Sequence, residues 1–98
     1  MSLLTLFKTS QHAIQTIVYL TLSQDNYTNV TTLSEEYNFS NTYLAKIAQI
    51  LSANKFIKTY IGWNGEISLN KKPESIKVID IVDAINEGKT IMSNIYLV

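Results

Sequence analysis

The stretch NVTTLSEEYNFSNTYLAKIAQILSA, residues 29–53, contains two capping residues, each followed by a segment with helical character. Asn29 and Ser40 suit the N-cap position, because a short side-chain oxygen can accept a hydrogen bond from a backbone N–H in the first turn of a helix. We therefore predict a two-turn helix over 30–37 and a longer helix over 41–53.

The longer helix has apolar residues at i, i+3, i+4 and i+7, which predicts that one of its faces packs in the core. These residues are Leu44, Ile47, Ala48 and Leu51. Asn38 suits a left-handed turn residue between the two helices. Two helices joined by a turn of about three residues form a helix-turn-helix, a pattern that many small helical domains share.

The next segment, KFIKTYIGWNGEISLNK at residues 55–71, alternates apolar and polar residues on both sides of a Gly-Trp-Asn-Gly break. Alternation with a period of two is typical of a half-buried strand, and the glycine-bounded break predicts a turn. The segment therefore predicts a β-hairpin, and a hairpin directly after a helix-turn-helix is a wing.

Helical periodicity predicts two further helices, one on each side of this pattern. The first covers Thr9–Leu22 and leads into a polar turn at 23–29, and the last lies within 73–88 and ends at Gly88. The predicted fold is mainly α with a small β-hairpin, in the order helix, helix, helix, hairpin, helix. This order is a winged helix-turn-helix.

The length of 98 residues suits one small domain. We assign residues 1–88 to the winged helix-turn-helix domain and residues 89–98 to an apolar C-terminal tail. An apolar chain end is not expected to remain in water, so the tail is a candidate for contact with a second copy in a homodimer.

Composition limits the function classes. The chain has no cysteine, which excludes disulfides and cysteine-ligated metal within it. It has no apolar run long enough to span a membrane and no recognisable signal peptide, so the cytoplasm is the expected location. The net charge is zero, yet residues 40–72 hold five lysines against one acid, Glu66, which favours a basic face for nucleic acid.

An enzyme is not expected, because the residues do not form a catalytic constellation. His12 is the only histidine and is far in sequence from any acid pair or serine arranged to use it, so a structural or surface role is expected. Glu35 and Glu36 are adjacent on a helix and therefore diverge.

With this order established, the run from Ser40 to Ile85 resembles the Rrf-type family of bacterial winged-helix transcriptional regulators. The third helix of that family opens with a serine and a Tyr-Leu pair, matched here by SNTYLAKIAQIL. The family's wing is matched by IGWNGEISL, and its Pro-Glu turn and following helix by KPESIKVIDIVDAINEG. The resemblance implies a regulator that binds double-stranded DNA, and it extends loosely to about Lys8.

The chain departs from the family in three places. Many members hold an iron-sulfur cluster through cysteines after the fourth helix, and the absence of cysteine implies a short member without a cluster. No cofactor is expected. The family usually continues into a long dimerisation helix, whereas this sequence ends at Val98. In the wing, Ile61 replaces an arginine and Glu66 a glycine, which implies a weaker or different wing contact.

Residues at the start of the third helix are the predicted DNA-recognition residues. Ser40 caps a helix whose positive N-terminal end would face a phosphate. Asn41 can pair with adenine, and the methyl group of Thr42 can contact thymine. Tyr43 either contacts DNA or is partly core.

Three further residues are predicted to contact phosphates. Each of them also has a simpler explanation. Lys46 lies one turn into the third helix and Lys58 lies on a strand beside the wing, but lysines at such positions are often only solvated. Thr31 lies where the second helix would cross the DNA backbone, although helix-end capping explains it equally well.

At the wing tip, Trp63 and Asn64 are predicted to enter the minor groove, where apolar wedges and amide side chains are both used. Alternatively, Trp63 folds back on the hairpin or docks on a second subunit.

The sequence as a whole predicts a sequence-specific DNA-binding transcriptional regulator, a repressor that acts as a homodimer on a pseudo-palindromic operator. The absence of arginine reduces bidentate recognition of guanine and favours an A/T-rich site. The alternative is a winged-helix module that binds another protein, such as an antirepressor, and the neutral net charge and Glu66 favour it.

Overall fold

The computed structural model describes residues 2–60 and 65–92, with side chains through Glu87. The described elements, in chain order, are α1 (Leu3–Leu22), β1 (Tyr27–Asn29), α2 (Val30–Tyr37), α3 (Asn41–Ala53), β2 (Ile57–Thr59), β3 (Glu66–Leu69) and α4 (Val78–Met92). Short 3-10 turns precede β1 and α4.

The helix-turn-helix forms with the predicted bounds, because its caps are local. The Asn29 Oδ1 accepts a hydrogen bond from the Thr32 N–H at 2.7 Å, and the Ser40 Oγ accepts one from the Tyr43 N–H at 3.1 Å. Asn38 ends α2 in the left-handed conformation, with φ of 58°. These residues confirm α2 and α3 as predicted.

The predicted hairpin is confirmed as β2 and β3, but a third strand joins it. The sheet is antiparallel in the order β1-β3-β2, and Thr28 of β1 lies opposite Ile67 of β3. The prediction of a simple turn over 23–29 was therefore incomplete. A strand of three residues is too short to show alternation, and its partner lies far along the chain.

The outer ends of the first and last helices also differ from the prediction. α1 begins at Leu3 instead of Thr9, because Ser2 caps it by accepting a hydrogen bond from the Thr5 N–H at 3.1 Å. α4 does not end at Gly88 but continues to Met92. A glycine costs a helix only about 1 kcal/mol relative to alanine, which the surrounding turns can offset.

The core lies where α1, α3 and α4 meet the inner face of the sheet. The predicted stripe of α3 is buried, and it packs with Leu20 of α1, Ile67 of β3 and Ile85 of α4, each at most 1% exposed. Of the helices that the structure describes, none is both long and apolar enough to cross a membrane.

Candidate nucleic-acid interface

The face of α3 opposite the core carries an exposed row of side chains, here called the outer stripe. It consists of Thr42, Ala45, Lys46 and Gln49. Sequence analysis selected Thr42 and Lys46 but missed Ala45 and Gln49. All four residues could have been predicted from the helical period. Residues at i, i+3, i+4 and i+7 share a helix face, and this set lies opposite the apolar stripe.

The outer stripe borders a cleft of about 280 Å3 between α3 and the sheet. Ala45, Gln49 and Ser52 line it from the helix, and Tyr60 and Glu66 line it from the base of the wing. The helix and the wing base therefore contribute to one continuous surface.

Ser40 is exposed and occupies the predicted N-cap of α3. Its carbonyl accepts a hydrogen bond from the Leu44 N–H at 3.1 Å, while its hydroxyl is used by the cap. The first backbone N–H groups of a helix have no intrahelical partner, so the remaining ones at this end can face an anion. A phosphate contact at Ser40 stays a prediction.

Asn41 is exposed, but its side chain is tied to α2. The Ser34 hydroxyl bonds to the amide of Asn41 and also to the Thr31 carbonyl, the latter at 2.8 Å. Whichever way the amide is turned, one of its ends is held by Ser34. Bidentate pairing with adenine uses both ends of the amide, each of which can make a second hydrogen bond while Ser34 is bound, so adenine recognition by Asn41 stays a prediction.

Tyr43 is half-buried, and its hydroxyl lies 2.5 Å from Nδ1 of His12 on α1. Its ring packs against the core. This geometry favours the partly core interpretation over direct contact with DNA.

The three predicted phosphate contacts differ in accessibility. Lys46 on α3 and Lys58 on β2 are exposed, and strand alternation places Lys58 on the face opposite the buried Ile57. Thr31 is half-buried in α2. A nearby lysine, Lys71, instead lies over the ring of Phe56, with Nζ 4.5 Å from the ring centroid.

Trp63 and Asn64 lie outside the described residues. The wing base beside them is fixed by Gly65, whose carbonyl accepts a hydrogen bond from the Val30 N–H at 2.9 Å. Gly65 has φ of +64°, a conformation that favours glycine. Glu66, the one acid of the basic segment, lies opposite Asn29 of β1 in the sheet. A hydrogen bond to its carboxylate raises the pKa of Tyr27.

Comparison with known proteins places this geometry in a family. The Rrf2 family, described as "Iron-dependent Transcriptional regulator", matches residues 6–95. A curated protein of Aquifex aeolicus (strain VF5) named "Putative HTH-type transcriptional regulator" is 27% identical over 80 residues. The match covers 82% of this chain and 56% of that protein, so the chain spans about half the length of its relative.

Two solved structures share the fold. The chain resembles Staphylococcus aureus CymR with a TM-score of 0.68 and 20% identity, over 79% of this chain and 64% of CymR. For the oxidized form of CymR the TM-score is 0.67 with 21% identity, over 78% and 62% of the two chains. These likenesses confirm the winged-helix fold.

The donor atoms do not fit the iron in the family's description. The 98 residues contain no cysteine. Within 2–60 and 65–92, His, Asp and Glu side chains do not gather in any group of three or more that could hold a metal ion. The chain contains the helix-turn-helix and the wing strands, and the family matches nearly its whole length. The chain therefore belongs to the Rrf2 family of transcriptional regulators.

Proposed function

We propose that this chain is a sequence-specific DNA-binding regulator of transcription that places α3 in the major groove. The observation that carries the proposal is the outer stripe, an exposed row of side chains on a helix whose opposite face is buried in the core. The major groove of B-DNA is about 12 Å wide and admits an α-helix. The winged-helix fold and the family support this placement.

The outer stripe has side chains suited to base edges. Gln49 can pair bidentately with adenine through its amide, and it is exposed in the third turn of α3. The methyl groups of Thr42 and Ala45 can contact the C5-methyl of thymine. Gln49 is therefore proposed as an adenine-recognition residue beside Asn41, whose amide also bonds to Ser34.

Lysines supply the phosphate contacts. Lys46 belongs to the outer stripe, and the exposed Lys58 lies on β2 beside the wing. Lysine binds phosphate as a point charge, which gives affinity without base preference. The chain has no arginine, so bidentate recognition of guanine is reduced and an A/T-rich site is favoured.

Trp63 and Asn64 are proposed to contact the adjacent minor groove from the wing tip. Support comes from their sequence position, directly before Gly65 at the wing base that shares a surface with α3. Trp63 is the only tryptophan, so its fluorescence reports on the wing alone. Quenching by DNA is expected, and unchanged emission at saturating DNA would point to the hairpin or a second subunit instead.

We further propose that the regulator is a homodimeric repressor on a pseudo-palindromic operator. One domain of this size makes few base contacts, and two-fold pairing places half-sites about one helical turn apart. The apolar tail at 89–98 stays the proposed contact with the second copy, although residues 93–98 lie outside the described residues. Leu3, Leu4 and Phe7 at the start of α1 are each more than half exposed and offer a further apolar surface. Sedimentation as a monomer at micromolar concentration would contradict the dimer, and unchanged transcription from an operator-bearing template would contradict repression.

DNA binding itself is tested by titrating the purified protein into A/T-rich duplex at two salt concentrations. Neutralising phosphates releases counterions, so affinity should fall steeply with salt, with a slope of about 0.9 per phosphate contacted. Absence of binding at low salt would contradict the proposal and favour the protein-interaction module.

A further inference from the structure

The single histidine of the chain makes a hydrogen bond to the first turn of α3. Nδ1 of His12, in the middle of α1, lies 2.5 Å from the hydroxyl of Tyr43. The two residues are 31 positions apart in sequence, so this bond joins two helices that local structure alone would not fix to one another.

Phe39, in the turn between α2 and α3, completes the contact. Its ring centroid lies 4.3 Å from that of His12 and 5.6 Å from that of Tyr43. Tyr43 meets His12 edge-on, with a centroid distance of 5.5 Å and an interplanar angle of 86°. Edge-to-face and offset rings add to stability beyond the area that they bury. Three rings therefore join α1, the turn and α3 at one point.

Protonation of the imidazole is disfavoured at this point. Burial, with the nearby positive charge of Lys8, lowers the pKa of His12. A neutral imidazole has one nitrogen that donates and one that accepts, so its bond to the tyrosine hydroxyl has a defined direction that depends on the tautomer.

The position of Tyr43 in α3 gives this bond a geometric consequence. Tyr43 directly follows Thr42 and precedes Lys46 by three residues, both members of the outer stripe. Successive helical residues are about 100° apart around the axis, so fixing one side chain in the first turn fixes the direction in which its neighbours point.

We infer that His12 is a positioning residue for DNA recognition, which fixes the first turn of α3 through its hydrogen bond to Tyr43 so that the start of the outer stripe faces the groove, while the buried face holds the rest of the helix. This inference rests on the proposed function, because the orientation of α3 affects recognition only if α3 binds DNA. It differs from that proposal in placing a determinant of specificity on α1, away from the DNA-facing surface.

A double-mutant cycle distinguishes this role from direct contact of Tyr43 with DNA. Tyr43→Phe and His12→Phe each keep an aromatic ring in the cluster and remove one partner of the bond. The measured quantity is the ratio of affinities for a selected duplex and a random duplex. Tyr19→Phe is the matched control, since it removes the hydroxyl of another half-buried tyrosine.

Each single variant is expected to lower the affinity ratio relative to the wild-type protein, because the first turn of α3 loses the hydrogen bond that positions it. The double variant should be no worse than either single one, because both remove the same interaction. Multiplied effects in the double variant, or an unchanged ratio in the single ones, would overturn the inference.

Amide hydrogen exchange gives a second readout that does not need DNA. Tyr43→Phe and His12→Phe should speed exchange of the Leu44 N–H, which bonds to the Ser40 carbonyl at 3.1 Å, and by the same factor in the double variant. Unchanged exchange in the first turn of α3 would overturn the inference. The wild-type protein could instead show no sequence-specific DNA binding while the variants show the expected exchange. That result would contradict only the proposed function.

Discussion

The two faces of α3 differ in what their side chains contact. On the inner face, Leu44, Ile47 and Leu51 are at most 2% exposed and pack with the other helices and the sheet. On the outer face, the outer stripe is open to solvent. The inner face is therefore specified by the fold of this chain, whereas the outer face is available to a partner. The first turn of α3 also makes side-chain contacts within the chain. Asn41 bonds to Ser34, and Tyr43 bonds to His12.

The largest effect is expected from the inner face. Leu51→Ala removes a fully buried side chain and should lower the free energy of unfolding by about 2–5 kcal/mol, through lost burial and the cavity that remains. Thermal or denaturant unfolding measures this change. Leu22→Ala is the matched control, because Leu22 is 82% exposed and its loss should change stability by far less. Equal losses in the two variants would contradict the assignment of the inner face.

On the outer face, Gln49→Ala should change recognition without changing the fold. We expect a loss of about 1–3 kcal/mol in binding to a selected site, with binding to random duplex and the unfolding midpoint nearly unchanged. Competition titrations with both duplexes measure the difference. Gln11→Ala, at an exposed position of α1, is the control. An equal loss on selected and random DNA would exclude Gln49 from base recognition.

Lys46→Ala should separate affinity from specificity on the same face. Removing one phosphate contact should weaken binding to all sequences alike and lower the salt slope by about 0.9. Binding isotherms over a range of salt concentrations measure the slope. Lys77→Ala removes the same charge from an exposed position just before α4 and should leave the slope unchanged. If the salt slope of Lys46→Ala equals that of the wild-type protein, Lys46 is a solvated side chain and does not contact a phosphate.

The smallest effect concerns the contact between α1 and the first turn. The pKa of His12 is lowered in the folded state by burial and by Lys8, so below the unfolded value of 6.5 the unfolded chain binds the extra proton more readily. Stability should therefore rise as pH increases from the folded pKa through 6.5, and it should fall in acid. Unfolding midpoints across this window measure the trend. His12→Phe should remove that component, and an identical pH profile in the variant would contradict it.

Local signals made much of this fold predictable. The caps Asn29 and Ser40 and the apolar period of α3 lie within one stretch, so α2 and α3 were predicted with correct bounds. The alternation on both sides of the wing predicted β2 and β3 in the same way. Each of these signals depends only on neighbours within a few residues.

Contacts between distant residues were not predictable from pattern. β1 is recognised only by its pairing with β3, and the bond between His12 and Tyr43 joins residues 31 positions apart. For the same reason, the hydrogen bond between Asn41 and Ser34 of α2 was not predicted, whereas adenine recognition by Asn41 stays a prediction. Gln49, in contrast, shares the exposed helix face of Thr42 and Lys46, so its position on the outer stripe follows from the helical period alone.

Selection of binding sites from a random duplex pool, by the wild-type protein and by Gln49→Ala in parallel, tests most directly whether the outer stripe recognises DNA. The wild-type protein should enrich an A/T-rich site with two-fold symmetry and half-sites about one helical turn apart. Gln49→Ala should lose the preference for one adenine in each half-site. Enrichment of no sequence by the wild-type protein, or of the same site with the same stringency by Gln49→Ala, would contradict recognition of DNA by the outer stripe.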